Sequence, residues 1–206
     1  MLEVSDLTAI RDEKELFQSI TFSVNPGDLV QVEGRNGSGK TTMLRIITGL
    51  GDCESGQISW QGIDTKKDRD AFHESLLFIG HQTGVKKELT AFENLSFYQK
   101  MNGSQGVTQD DIWLALAKVG LAGKEDIPAG KLSAGQQRRV ALARLWLSKH
   151  PLWILDEPLT AIDKQGIKVI EALFIEHTHR GGMVLFTTHQ DMFTDVSVLK
   201  TIRLGE

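Results

Sequence analysis

The fold of this chain is decided by one stretch of its sequence, Gly34-Arg35-Asn36-Gly37-Ser38-Gly39-Lys40-Thr41. The stretch matches the pattern G-x-x-x-x-G-K-[ST] at every fixed position. Residues 29–33 before it alternate apolar and polar side chains, which predicts a strand, and residues 42–48 after it predict a helix that ends at Gly49. A glycine-rich loop between a strand and a helix predicts a phosphate-binding site, because this is the context that such loops have in folded proteins.

The residue types of this loop suit a nucleoside triphosphate such as ATP. Glycines allow backbone N–H groups to approach phosphate oxygens, and the N-terminus of the following helix adds partial positive charge. Lys40 is expected to bridge the β- and γ-phosphates, and the Thr41 hydroxyl is expected to bind Mg²⁺. The predicted phosphate-binding set is Gly34, Arg35, Asn36, Gly37, Ser38, Gly39, Lys40, Thr41 and Thr42.

Length and composition exclude several other classes of protein. The 206 residues fit one α/β domain with an inserted subdomain, and the net charge of −4 argues against nucleic acid as a partner. Cys53 is the only cysteine, so an internal disulfide and a thiolate zinc site are excluded. The first residues lack the basic start and apolar core of a signal peptide, and no apolar run approaches the roughly 20 residues that cross a bilayer. We therefore expect any role at a membrane to be that of a peripheral subunit.

An α/β pattern flanks a segment with helical spacing. Apolar strands are predicted at 76–80, at 152–155 and at 183–188, whereas the residues between the first two of these strands have the periodicity of helices. We expect residues 1–84 and 149–206 to form an α/β core, with a helical subdomain inserted at about 85–148.

Polar residues follow three of the predicted strands. Asp156 and Glu157 end the strand at 152–155, His189 follows the strand at 183–188, and Gln82 follows the strand at 76–80. Open α/β sheets bind ligands at this end of their strands. Asp156 suits Mg²⁺, Glu157 suits a general base for water, His189 suits the γ-phosphate, and Gln82 suits Mg²⁺ or water. The alternatives are two solvated carboxylates and a surface histidine.

A second candidate anion site lies in Leu132-Ser133-Ala134-Gly135-Gln136, directly before a helix predicted at 136–147. Backbone amides at a helix N-terminus bind anions, so the Ser133 hydroxyl and the Gly135 N–H are equipped for a second phosphate group. Helix capping by Ser133 is the alternative explanation.

Together these motifs resemble the ATP-binding subunit of an ABC transporter over essentially the whole chain. The matching elements, in order, are the P-loop at 34–41, the Q-loop glutamine Gln82, the signature at 132–136, the acidic strand end at 152–157, a D-loop-like segment at 159–163 and the switch histidine His189. The resemblance implies a P-loop NTPase of ABC-ATPase type. Its mixed, mainly parallel sheet core has an N-terminal antiparallel β part and an inserted α-helical subdomain.

The same resemblance implies a head-to-tail dimer in which the signature of one copy closes over the ATP held by the other. Ser133, Gly135 and Gln136 would then contact the partner's nucleotide in trans, and Asp163 would couple the two sites. Lys40, Glu157 and His189 would be the catalytic residues, and Thr41, Gln82 and Asp156 would hold Mg²⁺.

The segments at 79–82, 132–147 and 153–158 are similar, more narrowly, to the haem-exporter-type ATPases of bacterial cytochrome c maturation. This implies a peripheral ATPase on the cytoplasmic face of the bacterial inner membrane, bound to integral membrane subunits and indirectly connected with haem and its chaperone. ATP hydrolysis would drive release of the haem-loaded chaperone. The alternative is a soluble ABC-type assembly or regulatory factor without a membrane partner.

Two positions depart from the usual pattern of the family. The signature carries Ala134 where a second glycine is usual, and we expect the small methyl group to be tolerated. Arg11 occupies the position from which many members stack an aromatic ring on adenine. A guanidinium can also stack on a flat base, so Arg11 is the candidate, with Phe17 or ordinary surface exposure of Arg11 as alternatives.

Overall fold

The computed structural model describes residues 1–101, 106–189 and 199–205. Contacts divide the chain into two compact units. Unit 1 comprises Met1–Phe78, His150–Glu157 and Phe174–Glu206, and unit 2 comprises Ile79–Lys149 and Pro158–Leu173. Among the described residues, no helix combines the length and the apolar character needed to span a membrane.

The N-terminal part forms an antiparallel sheet of four strands in the order β2-β1-β4-β5. Its members are β1 (Leu2–Arg11), β2 (Lys14–Val24), β4 (Ser55–Trp60) and β5 (Ile63–Asp64). A two-residue turn joins β1 to β2, and its residues Asp12 and Glu13 both have positive φ, 51° and 60°. Such turns match the natural twist of a hairpin, and this one places Arg11 at the tip of the sheet.

The second sheet has five strands in the order β6-β7-β8-β3-β9. They are β3 (Leu29–Gly34), β6 (Leu76–Ile79), β7 (Leu152–Leu155), β8 (Met183–Thr187) and β9 (Leu199–Leu204). The pairs β3–β8, β3–β9 and β7–β8 are parallel. Every residue of β7 and β8 is buried, as their continuous apolar runs predict. Because β3, β7 and β8 are parallel, the segments that follow them meet at one edge of the sheet.

The helices of unit 1 begin with α1 (Lys40–Ile47), which directly follows the glycine-rich loop, and α2 (Arg69–Glu74). The longest helix, α6 (Lys164–His179), contributes residues to both units. A core cluster that includes Val32, Leu44 and Leu185 packs α1 onto the sheet and so fixes where the loop begins and ends.

Unit 2 contains α3 (Ala91–Met101), α4 (Gln109–Lys118) and α5 (Ala134–Ala143), which share a core that includes Leu95, Leu116 and Val140. The helix predicted at 136–147 begins two residues earlier, at Ala134, and becomes a 3₁₀ turn at Arg144–Leu147. All three helices lie within the predicted helical subdomain, but unit 2 also includes residues 79–84 and Pro158–Leu173. The domain boundaries at about 85 and 148 stay a prediction.

Candidate functional site

The glycine-rich loop of unit 1 is shaped by its backbone and by Lys40. Gly39, the residue before α1, has φ 96° and ψ 8°, and a Cβ there would lie 3.0 Å from atoms of both Leu16 and Phe17. Only glycine combines this conformation with this close approach. The Lys40 ammonium donates to the carbonyls of Gly34, at 2.7 Å, and of Arg35, at 3.2 Å. The lysine therefore bridges the start of the loop from the first turn of the helix.

Two features make this loop suitable for an anion. Among the described residues no side chain caps α1, and no acidic residue belongs to its first turn, so the N–H groups at the helix N-terminus are left for a ligand. In addition, the Ser38 Oγ is shielded from solvent and has no hydrogen-bond partner among the described residues. Buried polar atoms are nearly always hydrogen-bonded, so an orphaned hydroxyl in this loop fits a ligand with acceptor oxygens, such as a phosphate.

The acidic end of β7 reaches the loop through Asp156, whose side chain is almost fully buried. Its Oδ1 accepts a hydrogen bond from the Thr41 Oγ1 at 3.2 Å and another from the Thr187 Oγ1 at 2.8 Å. The hydroxyl of Thr41 and the carboxylate of Asp156 are oxygen ligands of the type that Mg²⁺ prefers. Residues from the loop and from two neighbouring strands thus form one oxygen-rich cluster.

Glu157 follows Asp156 with its backbone in the left-handed region, at φ 50°. Its N–H donates to the Thr187 Oγ1 at 2.9 Å, and its Oε1 lies 3.3 Å from the Nε2 of His189. The two residues proposed for water activation and γ-phosphate contact are therefore adjacent, although they come from different strands.

These residues line an open cleft of about 260 Å³. The lining residues are Arg11, Leu16, Asn36, Gly37, Gly39, Lys40, Thr41, Thr42, Glu157 and His189. All except Leu16 were predicted from the sequence. Leu16 is on β2 and lies beside Gly39 of the loop, and no sequence signal for this contact was visible.

Arg11 lies at the edge of this cleft with a side chain that is 71% exposed, 3.5 Å from the carboxylate of Asp12. Phe17, the other candidate for stacking on adenine, is only 5% exposed and packs in the core of unit 1. Since its ring also lies against Gly39, Phe17 is not available to a base. Arg11 remains the candidate.

The signature segment of unit 2 forms a capping box. The Ser133 Oγ accepts from the Gln136 N–H at 3.2 Å, and the Gln136 Oε1 accepts from the Ser133 N–H at 3.0 Å. Ser133 therefore caps α5. This cap uses one lone pair of the hydroxyl oxygen, and the hydroxyl hydrogen can still be donated to a phosphate. The next helical residue, Ala134, is exposed, and Gly135 has no room for a Cβ, which would lie 2.9 Å from the carbonyl of Ala161.

Asp163 and Gln82 are the other predicted site residues of unit 2. The Asp163 carboxylate accepts from the Gly166 N–H at 2.8 Å and from the Arg139 guanidinium at 2.9 Å. These hydrogen bonds, that of Gly166 first, lower the pKa of Asp163. Gln82 is exposed in the segment after β6. Its approach to a nucleotide stays a prediction.

The arginines that follow the signature contact the protein itself. Arg138 is buried and donates to the carbonyl of Gly80 at 2.7 Å, and the guanidinium of Arg144 lies 3.9 Å from the centroid of the Tyr98 ring. Arg139 pairs with Asp163. These contacts explain the cluster of arginines without a nucleic-acid ligand.

Comparison with known proteins assigns the family. The model of the family described as ABC transporter matches residues 17–160, a range that includes the P-loop, the signature and the acidic strand end. The chain belongs to this family. It is an ABC-type ATPase, and ATP is its nucleotide. The predicted fold class is confirmed.

This ABC-type ATPase is similar along its whole length to the cytochrome c biogenesis ATP-binding export protein CcmA of Vibrio parahaemolyticus. The two are 66% identical over 206 residues, which span 100% of both chains. Among solved structures, it is similar to an ATP-binding subunit of an ABC transporter, with 26% identity and a TM-score of 0.82 over 92% of this chain and 79% of the other. It is also similar to the dimeric post-hydrolysis state of the cassette MJ0796 bound to ADP and Pi. That match has 25% identity and a TM-score of 0.81 over 92% of this chain and 88% of the other.

Proposed function

We propose that this ABC-type ATPase powers a step of bacterial cytochrome c maturation from the cytoplasmic face of the inner membrane. ATP hydrolysis would drive release of the haem-loaded chaperone through integral membrane subunits. The full-length relative with 66% identity, which is named for cytochrome c biogenesis and export, supports this assignment. The alternative of a soluble factor without a membrane partner has no comparable observation in its favour.

The observation that carries the chemistry is the convergence of Lys40, Thr41, Glu157 and His189 on one cleft. Thr41, Gln82 and Asp156 are the residues that would hold Mg²⁺, which when bound neutralises charge on the β- and γ-phosphates. Glu157 orients and polarises the attacking water.

The remaining residues of this cleft bind and sense the nucleotide. Lys40 neutralises developing charge, and His189 contacts the γ-phosphate and helps to hold the water. Arg11 stacks on adenine at the outer edge of the cleft. The backbone amides of Gly37, Gly39 and the first turn of α1 hold the phosphates.

We further propose that the site is completed by a second copy of the chain, arranged head to tail. Ser133, Gly135 and Gln136 of one copy would contact the ATP bound to the P-loop of the other, and Asp163 would couple the two sites. Two observations support this arrangement. The N-terminus of α5 is solvent-exposed at Ser133 and Ala134, and a similar solved cassette is a dimer bound to ADP and Pi.

Glu157→Gln tests this function, because it keeps the size of the side chain and removes the base. We expect ATP binding and a trapped ATP dimer, but turnover reduced by about 10²- to 10⁴-fold, the usual contribution of a general base. In cells whose only copy is this variant, c-type cytochromes should not form, as measured by haem staining. The matched control is Glu176→Gln, which breaks only the exposed pair with Arg180 and should leave both readouts unchanged.

Rapid hydrolysis by the Glu157→Gln protein would refute the catalytic assignment. For the membrane role, the tagged wild-type chain is purified from detergent-solubilised membranes. We expect integral membrane proteins to copurify with it, and recovery only in soluble complexes would contradict the proposal.

A further inference from the structure

Thr187 lies at the centre of the catalytic cluster, although no motif pointed to it. It is the last residue of β8, it is 0% exposed, and it precedes His189 by two positions. Its hydroxyl lies between two parts of the acidic strand end. The Oγ1 donates to the Asp156 Oδ1 at 2.8 Å and accepts from the Glu157 N–H at 2.9 Å.

A hydroxyl group has one hydrogen to donate, so the two contacts fix its orientation completely. Because the hydrogen points to Asp156, a lone pair faces the N–H of Glu157. Without the hydroxyl, the Asp156 carboxylate would lose the hydrogen bond from Thr187, and the Glu157 N–H would lose its hydrogen bond to the Thr187 Oγ1. A single side chain thus controls a predicted Mg²⁺ ligand and the backbone of the predicted base.

The backbone of Glu157 needs such support. Its φ of 50° is unfavourable for a residue with a Cβ, and strained residues of this kind persist only where the surroundings hold them. The hydrogen bond to Thr187 holds the N–H at this strained point. The same backbone conformation places the Glu157 carboxylate on the cleft, 3.3 Å from the Nε2 of His189.

We propose that Thr187 is a positioning residue for ATP hydrolysis, whose hydroxyl clamps the Asp156 carboxylate and the Glu157 backbone in their working geometry. The proposal rests on the proposed function, because it assumes that Asp156 and Glu157 serve the reaction. Thr187 itself touches neither nucleotide nor water in this scheme. Its effect is transmitted through the two acidic residues.

Thr187→Val and Thr187→Ser test the clamp as a pair. Valine keeps the shape and the preference for a strand but lacks the hydroxyl, whereas serine keeps the hydroxyl. In the Val variant we expect kcat to fall about 10- to 100-fold, the usual effect of losing a partner of a metal ligand, and the Mg²⁺ concentration for half-maximal rate to rise. The KM for ATP should change little, since the P-loop is intact. The Ser variant should restore both quantities.

A measurement on the nucleotide-free protein distinguishes a positioning role of Thr187 from a direct role in catalysis. In the nucleotide-free protein, hydrogen exchange of the Glu157 amide, followed by NMR, should be faster in Thr187→Val than in the wild type and normal in Thr187→Ser. Thr178→Val is the matched control, because Thr178 is also a buried threonine of unit 1 but donates only within α6, to the carbonyl of Ile175. It should leave kcat and the Glu157 amide unchanged.

A Thr187→Val protein with normal kcat, normal Mg²⁺ requirement and a protected Glu157 amide would overturn the proposal. If the Val variant does not fold, Thr187→Ala carries the same measurements, and normal values there overturn it equally. The Glu157→Gln protein is assayed alongside. If it is inactive while Thr187→Val is normal, only the clamp is refuted, whereas rapid hydrolysis by Glu157→Gln refutes the proposed function.

Discussion

The P-loop of unit 1 and the signature of unit 2 both precede a helix, but their polar side chains are held in different ways. Around the P-loop, Thr41 bonds to Asp156, which is 115 residues away in sequence, and Thr187 closes the same cluster. Around the signature, Ser133 and Gln136 bond to each other, three residues apart. The first site exists only when three strands are assembled, whereas the second is formed by one turn of chain.

This difference predicts which mutations should disturb each half of the proposed ATP site. Mutations in the core of unit 1 should displace the side chains around the P-loop, because the sheet holds those side chains in place. The signature half depends on its own cap and presents its polar groups to solvent. If a second copy of the chain binds at the signature, a mutation in one half should leave the other half of the same chain able to function.

The largest expected change is in ATPase activity, when two inactive variants are mixed, one altered in the P-loop half and one in the signature half. Lys40→Ala removes the P-loop ammonium, and Ser133→Arg places a long charged side chain at the exposed signature. Each protein alone should not hydrolyse ATP. A mixed head-to-tail dimer contains one site with an intact P-loop and an intact signature, so the mixture should regain ATPase activity.

The control for this experiment mixes Lys40→Ala with Glu157→Gln, which are both altered in the P-loop half. No intact site can form in that mixed dimer, and activity should not return. If pull-down of differently tagged copies shows mixed dimers but the first mixture stays inactive, the composite site is wrong.

A smaller effect, on ATP affinity, is expected for Gly39→Ala. The positive φ disfavours alanine by about 1–2 kcal/mol, and the added methyl group would also crowd Leu16 and Phe17 at 3.0 Å. Because relief of this strain moves the loop, we expect ATP binding at least about tenfold weaker by titration calorimetry. Gly181→Ala is the control, since Gly181 also has positive φ, 84°, but no other atom of the described residues lies within 4 Å of the added Cβ. Equal ATP affinity in the two variants would contradict the role of the close approach.

The smallest effect concerns the stability of unit 1 in acid. The His177 ring stacks on Trp153 at 3.7 Å, and its Nε2 has no hydrogen-bond partner among the described residues. Burial lowers the pKa of His177 below its ordinary value of 6.5, so the folded state prefers the neutral ring. Its contribution to stability is therefore present above pH 6.5 and is lost as the pH falls toward the lowered pKa of the folded state.

This prediction is checked by urea unfolding between about pH 7 and pH 5. His177→Phe keeps an aromatic ring on Trp153 but does not titrate, so its stability should decline less on acidification than that of the wild type. His179→Gln, at an exposed position of the same helix, should decline as the wild type does. Parallel curves for His177→Phe and the wild type would show that His177 is not the acid-sensitive group.

Much of the candidate site followed from the sequence, and the exceptions have physical causes. The pattern from Gly34 to Thr41 and the acidic end of β7 were visible because short contiguous motifs carry them. The start of α5 at Ala134 was missed, although Ser133 and Gln136 have the spacing of a capping box and would have revealed it. Leu16 and Thr187 could not have been found, because their roles come from contacts with residues distant in sequence, Leu16 with Gly39 and Thr187 with Asp156, that no local pattern encodes.

The sequence by itself determined the class of chemistry, since a glycine loop, a lysine and a helix N-terminus bind phosphate wherever they occur in this order. It also determined the order of the motifs that places the chain among the ABC-type ATPases. Only the tertiary structure decided that the hydroxyl of Thr187 lies between Asp156 and Glu157, and that Phe17 is buried while Arg11 faces the cleft. These outcomes depend on which strands are neighbours, because hydrogen bonds and burial act over a few ångströms in space, whatever the separation along the chain.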